Sequence, residues 1–190
     1  MQKTLQKYAK ASSLQFNIKK IDEKIVLGTK SESQGLLKYQ NNKIYILQNG
    51  DKKVEVFYFG KNLTLVEYPD ADFNAAGKRK VTILKNTSSP LVKSLLNLFS
   101  DTAGFNKQMT VISEKTVDGV LSVELSSKAE NMKNLALKIN VKDLNLMELS
   151  FVDDVETKTT LQFEKLKLGA KIKKSEFQYK PLKTDEVLIQ

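Results

Sequence analysis

The 190-residue sequence has no cysteine, no histidine and no tryptophan, and Arg79 is its only arginine. Without cysteine there are no disulfide bonds and no thiol chemistry. Without cysteine and histidine, the usual zinc sites and the Ser-His-Asp and Cys-His forms of catalysis are excluded. The lack of cysteine does not choose a cellular compartment, because disulfide bonds are not obligatory in any of them.

Long apolar runs are also missing, and the longest are residues 44–47 and 56–59. A membrane-spanning helix needs roughly 20 apolar residues, so none is expected. Residues 1–8 lack the apolar segment of a secretory signal. The protein is therefore either cytosolic or one whose signal peptide has been removed, and the sequence alone leaves both open.

The net charge of +9 comes almost entirely from lysine. Recognition of phosphates and base edges relies on the planar, bidentate guanidinium of arginine, so we do not expect nucleic-acid binding. A second possibility is contact with an acidic protein or a membrane through a lysine-rich stretch. The alternative for that stretch is a solvated strand edge protected against aggregation; it consists of Lys165, Lys167, Lys171, Lys173 and Lys174.

Few residues offer chemistry. Asp70 with Asp72, and the group around Asp153 and Glu156, could in principle act on a sugar or hold a hard cation. Solvated turns explain them better. A Ser–Lys pair stays open, but no spacing favours one. We therefore expect no catalytic residue, no metal site and no cofactor.

Alternating apolar and polar residues predict a chain of short strands. Asn49-Gly50 is the strongest hairpin signal, and such short turns join antiparallel neighbours. The predicted strands are residues 14–18, 25–29, 35–39, 43–48, 53–59, 63–68, 81–84, 108–114, 119–126, 134–141, 144–152, 157–166 and 171–179.

Two helices are expected among these strands. Residues 2–11 form a short leading helix, and Ser89-Pro90 begins a second, since serine caps the free amides and proline suits the first turn. The sequence thus predicts one domain over residues 1–190, mainly β (α+β), with about a dozen antiparallel strands. A sheet of that size curls or closes, either around a solid core or around a cavity for an apolar ligand.

The order of the predicted elements carries a resemblance to a known family. A leading helix precedes the strand with Phe16, and a strand that begins at Gly35 leads into residues 43–47. Residues 60–65 read Gly-Lys-Asn-Leu-Thr-Leu, the second helix carries Pro90-Leu91, and residues 177–181 read Phe-Gln-Tyr-Lys-Pro. In this order and spacing, nearly the whole chain resembles the LolA-type periplasmic lipoprotein carriers.

The resemblance implies a half-open antiparallel β-barrel covered by short helices and enclosing an apolar cavity. It implies a monomeric periplasmic carrier, not an enzyme, that holds the acyl chains of lipoproteins. The expected partners are acylated lipoproteins, an inner-membrane lipoprotein-releasing transporter and an outer-membrane lipoprotein acceptor. The alternative is a non-catalytic interaction or lipid-sensing module of the same fold with a lysine-rich surface.

The same resemblance places the lipid-binding residues on the apolar faces of the strands and of the second helix. Where the family has an arginine that latches its lid to a helix, this chain has Asn41, which makes fewer and weaker hydrogen bonds. Asn41 is thus the candidate for a weaker latch, or for none. The candidate lipid-binding residues are Leu14, Phe16, Leu37, Tyr39, Tyr45, Leu47, Val56, Tyr58, Leu63, Leu65, Leu91, Leu95, Leu98 and Phe99.

Overall fold

The computed structural model describes residues 1–70, 77–86, 89–100, 102–127 and 132–190. Within them lie three α-helices: α1 (Gln2–Ala9), α2 (Pro90–Ser100) and α3 (Thr102–Gln108). As the sequence predicts, the Ser89 hydroxyl caps α2 by accepting a hydrogen bond from the Val92 amide, at 3.2 Å. A 3₁₀ turn covers Lys174–Phe177.

Twelve strands form one sheet in the described part of the chain. The first six are β1 (Leu14–Lys24), β2 (Thr29–Gln40), β3 (Lys43–Asn49), β4 (Lys53–Phe59), β5 (Asn62–Glu67) and β6 (Lys80–Leu84). The other six are β7 (Met109–Val117), β8 (Val120–Ser127), β9 (Lys133–Asn140), β10 (Leu146–Val152), β11 (Thr157–Leu168) and β12 (Glu186–Ile189).

The strand order is β12-β6-β5-β4-β3-β2-β1-β11-β10-β9-β8-β7. Sequential hairpins build the two halves, and β1 joins them by pairing antiparallel with β11, from Leu14↔Leu168 to Lys24↔Thr157. The exception to antiparallel pairing is β12, which lies parallel to β6. The sheet does not close, and this open or half-open, mostly β architecture with few short helices confirms the predicted fold class.

Local backbone geometry explains the tight pairing of β2 and β3. A Cβ at residue 35 would lie 1.7 Å from the Leu47 carbonyl oxygen, so only glycine fits there. The two strands are joined by Asn41 and Asn42, with φ of 49° and 57°, the left-handed region that asparagine tolerates. This two-residue turn sets the register from Gln40↔Lys43 onward.

Two predicted strands are wrong. Residues 25–28 form the turn between β1 and β2, because the charged residues before them continue β1 through pairing on both sides. Residues 171–179 contain the 3₁₀ turn, with Phe177 completely buried, rather than a strand. The apolar residues in both segments have the composition of a strand, but their backbones have no continuing partner strand.

Candidate functional site

One face of the sheet is covered by the three helices and is almost wholly apolar. From this face and from α2, eight of the candidate residues are buried in one hydrophobic cluster. Val56, Tyr58 and Leu91 pack against the same cluster and are partly buried. Leu65 is also partly buried, two positions from Leu63 on the same strand. The eight buried residues are Leu14, Phe16, Leu37, Tyr39, Leu63, Leu95, Leu98 and Phe99.

Aromatic rings fill the space between the helices and the sheet. The Phe99 ring on α2 lies 5.7 Å from Phe16, 5.7 Å from Tyr8 and 5.5 Å from Tyr39 between centroids. Phe16 in turn meets Phe163 at 5.2 Å. The resemblance predicts a cavity at this place; in the described residues the interface holds packed side chains, so a ligand can enter only if the helices separate from the sheet.

The helical layer is fixed to the sheet by few polar contacts. The Lys7 ammonium donates to the Asp143 carbonyl at 2.8 Å and to the Asn145 side chain at 2.5 Å. The Tyr8 hydroxyl accepts a hydrogen bond from the Leu146 amide at 2.6 Å, and burial raises the pKa of this tyrosine to about 12. The Ser94 hydroxyl lies 3.2 Å from the Met132 sulfur.

The helices are also joined to one another. The Gln2 amide on α1 donates to the Asn106 side chain on α3 at 3.1 Å, and the Asn97 amide on α2 donates to Gln108 on α3 at 2.7 Å. With these links, the three helices form a connected layer over an apolar surface.

Two candidate residues, Tyr45 and Leu47, lie on the opposite face of the sheet. The residues of β3 that face the helices are Ile44 and Ile46, both buried in the main cluster. All four side chains are apolar, so the alternation of apolar and polar residues could not show which two of them face the helices. The turn did hold a signal: a two-residue turn at Asn41 and Asn42 sets Tyr39 opposite Ile44, which therefore shares its face.

The opposite face carries a groove of about 500 Å³ beneath the C-terminal segment. Arg79 lines this groove and forms a bidentate pair with Asp185, with Nε–Oδ1 and Nη2–Oδ2 distances of 2.7 Å. This guanidinium holds the pKa of Asp185 well below its ordinary value of 3.8. Tyr179 also donates to Asp185, and its pKa is raised to about 12, first by burial and then by that carboxylate.

A second ion pair crosses the same groove. Lys38 of β2 binds Glu176 of the 3₁₀ turn, and this contact lowers the pKa of Glu176. A small buried cluster of Phe57, Val66 and Val81 lies on this side, with Tyr45 and Tyr179 against it. Paired charges thus hold the C-terminal segment on this face, Lys38 with Glu176 and Arg79 with Asp185.

Asn41 lies in the β2–β3 turn at the edge of a shallow depression that also includes Tyr58 and Leu96. No side-chain hydrogen bond joins Asn41 to a helix among the residues that the structure describes. The neighbouring Asn42 instead accepts from the Tyr39 hydroxyl at 3.2 Å. The latch role of Asn41 therefore stays a prediction.

The groups that the sequence offered for chemistry lie in turns or outside the described residues. Asp153 accepts hydrogen bonds from the Val155 and Thr157 amides at 3.1 and 2.8 Å, as a turn carboxylate does. Asp72 lies outside the described residues. In the described ranges, no cluster of three potential metal ligands occurs, and no helix is long and apolar enough to cross a membrane.

The model of the family named "Outer membrane lipoprotein carrier protein LolA" matches residues 73–180, more than half of the chain. The chain belongs to the LolA family. The resemblance seen in the sequence is thereby confirmed, and at the family level the match supports a lipoprotein-binding carrier. No curated protein sequence matches the chain.

Solved structures show similarity over nearly the full length. An uncharacterized conserved protein from Thermus thermophilus has a TM-score of 0.58 and 11% identity, covering 100% of this chain and 98% of that one. At this identity the similarity concerns the fold alone. The LolA superfamily protein NE2245 from Nitrosomonas europaea has a TM-score of 0.42 and 10% identity, covering 94% and 97% of the two chains.

MucB is a further similar structure, solved in its complex with MucA from Pseudomonas aeruginosa. Its TM-score is 0.42 at 14% identity, covering 94% of this chain and 60% of that one.

Proposed function

We propose that this LolA-family protein carries lipoproteins by holding their acyl chains between the helical layer and the sheet. The observation that supports this most is the make-up of that interface. Its buried cluster joins residues of the helices to residues of both halves of the sheet, and almost all of them are apolar. The proposal covers residues 1–190 as one domain and one monomeric carrier unit.

The energy of an acyl chain explains why a surface patch would not be enough. A chain of about 15 methylenes exposed to water costs on the order of 12 kcal/mol, at about 0.8 kcal/mol per methylene. Only an enclosed apolar site recovers most of that free energy. The interface under α2 offers one without new polar surface, since the acyl chain replaces contacts that the helices make with the sheet.

The same exchange explains how cargo is released. When the acyl chain leaves, Phe99 and Leu95 return to Phe16 and its neighbours, and the apolar surface of the protein is covered again. The filled interface therefore competes with the ligand and lowers its net affinity. A carrier needs this, because cargo taken from an inner-membrane transporter must pass to an outer-membrane acceptor that binds it better. Both partners, and transfer through the periplasm, are part of the proposal.

A reversible crosslink tests whether the layer must open. Ser94 on α2 touches Met132, the residue before β9, and the chain has no natural cysteine. In the double variant Ser94→Cys/Met132→Cys, oxidation, checked by loss of free thiols, ties α2 to the sheet. We expect the oxidised protein to bind a triacylated lipopeptide at least about tenfold more weakly than the reduced protein, since the site cannot open.

The reduced form of the same variant is the matched control, and it should take up the lipopeptide as the unmodified protein does. Native mass spectrometry of both forms gives the bound fraction directly. Equal uptake by the oxidised and reduced forms would show that acyl chains bind elsewhere. No uptake by the unmodified protein would favour the interaction module, whose five lysine ammonium groups between residues 165 and 174 form no ion pair with a described carboxylate.

A further inference from the structure

The turn between β1 and β2 exposes three consecutive apolar side chains. Ile25, Val26 and Leu27 are 51%, 73% and 67% exposed. The neighbouring β10–β11 turn adds Val155, at 77%. The Ile25 amide donates to the Glu156 carbonyl at 3.0 Å, so the two turns are held side by side. Together these four residues form an apolar tip at one end of the sheet.

This composition departs from that of the other tight turns in the same sheet. The β2–β3 turn consists of Asn41 and Asn42, the β4–β5 turn of Gly60 and Lys61, and the β7–β8 turn of Asp118 and Gly119. Those are the polar and glycine residues that turn geometry favours. The β1–β2 turn needs such a residue only at Gly28, where φ is +62°. Its other three positions are apolar without a conformational reason.

The tip also projects from the body of the sheet. The pairing of β2 with β3 begins at Gln34, whereas its pairing with β1 continues for five more residue pairs to Thr29. Gly50 of the β3–β4 turn lies beside Glu32, where an added Cβ would be 3.0 Å from the Glu32 carbonyl oxygen. At about 3.3 Å per residue, the hairpin therefore extends roughly 10 Å beyond that turn to Thr29. Apart from the two adjacent residues, no described residue lies within 4 Å of the position a Cβ would take at Gly28.

We propose that the tip of Ile25, Val26, Leu27 and Val155 inserts into the surface of a lipid bilayer. A convex tip suits a fluid apolar phase, because it needs no preformed pocket in the partner. Two backbone amides of the turn already have hydrogen-bond partners within the protein: the Ile25 amide donates to the Glu156 carbonyl, and the Leu27 amide donates to the Lys24 carbonyl at 3.1 Å. Insertion therefore leaves few backbone donors unpaired.

Charged residues directly below the tip limit how deeply it enters. Glu23 and Lys24 adjoin it on β1, Lys30 on β2 and Lys158 on β11, and Asp154 and Glu156 flank Val155. Their charges nearly balance, so apolar contact drives insertion locally. The net charge of +9 on the whole chain adds a long-range attraction to an anionic bilayer.

Co-sedimentation with vesicles of phosphatidylcholine and phosphatidylglycerol tests the tip. In Val26→Asp/Leu27→Asp, two apolar side chains become charged, and both positions are exposed, so folding is preserved. We expect the apparent affinity for vesicles to fall by at least about tenfold. Uptake of a triacylated lipopeptide in detergent-free buffer should stay unchanged, which separates this proposal from acyl-chain carriage.

The sheet supplies a matched control at its other end. Val117 and Val141 are 51% and 44% exposed beside neighbouring turns, and the Val141 amide donates to Gly119. Val117→Asp/Val141→Asp adds the same two negative charges away from the tip. It should bind vesicles with the small loss that charge alone produces.

The proposal is overturned if the unmodified protein does not sediment with vesicles, or if the tip variant and the control lose affinity equally. It is also overturned if the unmodified protein dimerises in solution and the tip variant does not, since the tip would then contact a second copy. Leu27→Trp gives a positive readout because the chain has no tryptophan: brominated lipids should quench its emission, and should not quench Val141→Trp.

Discussion

The two faces of the sheet are built from the same strands but are covered in different ways. The helical face is held by packing, with Phe99 among the rings of Tyr8, Phe16 and Tyr39. The opposite face holds the C-terminal segment by two ion pairs, Arg79–Asp185 and Lys38–Glu176, beside the buried ring of Phe177 and the pairing of β12 with β6.

The difference bears on which cover can move. An ion pair requires its two charged groups to keep a particular geometry. Separating the pair in an apolar environment leaves two uncompensated charges, which costs free energy. Apolar packing does not require one particular apolar partner, so the hydrocarbon of a ligand can replace a side chain of the helical layer. We therefore expect the helical layer to give way to a ligand, and we expect the C-terminal segment to stay attached to the sheet.

The largest effect should come from truncating a ring on the helical face. Phe99→Ala removes the side chain that three other rings contact, and we expect the free energy of unfolding to fall by about 3–5 kcal/mol. Phe57→Ala is the counterpart on the other face, where the cluster is small and bordered by an open groove. Urea denaturation should show a smaller loss for Phe57→Ala; an equal or larger loss would contradict the contrast between the faces.

The ion-pair face should instead show pH dependence. Because the pKa of Asp185 is depressed in the folded protein, its stabilisation is present above the ordinary value of 3.8 and is lost as pH falls toward the folded pKa. We expect the unmodified protein to exceed Asp185→Asn in urea midpoint at pH 7, and the difference to vanish in strong acid. Asp154→Asn, at an exposed turn position, is the control and should show no such difference.

The smallest effect is expected at Asn41. Asn41→Gly keeps the positive φ that the turn needs and removes the side chain, so stability should change by no more than about 1 kcal/mol. If this residue forms a weak latch or none, the rate of lipopeptide exchange should change by less than about twofold, since a neutral amide makes few bonds. A much faster exchange, measured by fluorescent lipopeptide release, would establish a latch there.

Local signals predicted much of the fold. Alternation in β4, β8 and β9 and the hairpin at Asn49-Gly50 correspond to observed strands and turns. The prediction of which β3 side chains face the helices was wrong. Both faces of this strand are apolar, and only the register set by the Asn41-Asn42 turn distinguishes them. Pairings between distant residues were beyond local reasoning: Arg79 and Asp185 are 106 positions apart, and neither has a sequence neighbour that points to the other.

The seam between β1 and β11 has a consequence for how the chain reaches its native state. The Thr159 hydroxyl on β11 donates to the Asp22 carboxylate on β1, 137 residues away along the chain. Such non-local pairing slows folding, because a long loop must close before the contacts form. During synthesis, β1 leaves the ribosome with one edge unpaired until β11 has been made. We therefore expect nascent chains to be most prone to aggregation in that interval, through an edge that the finished protein conceals.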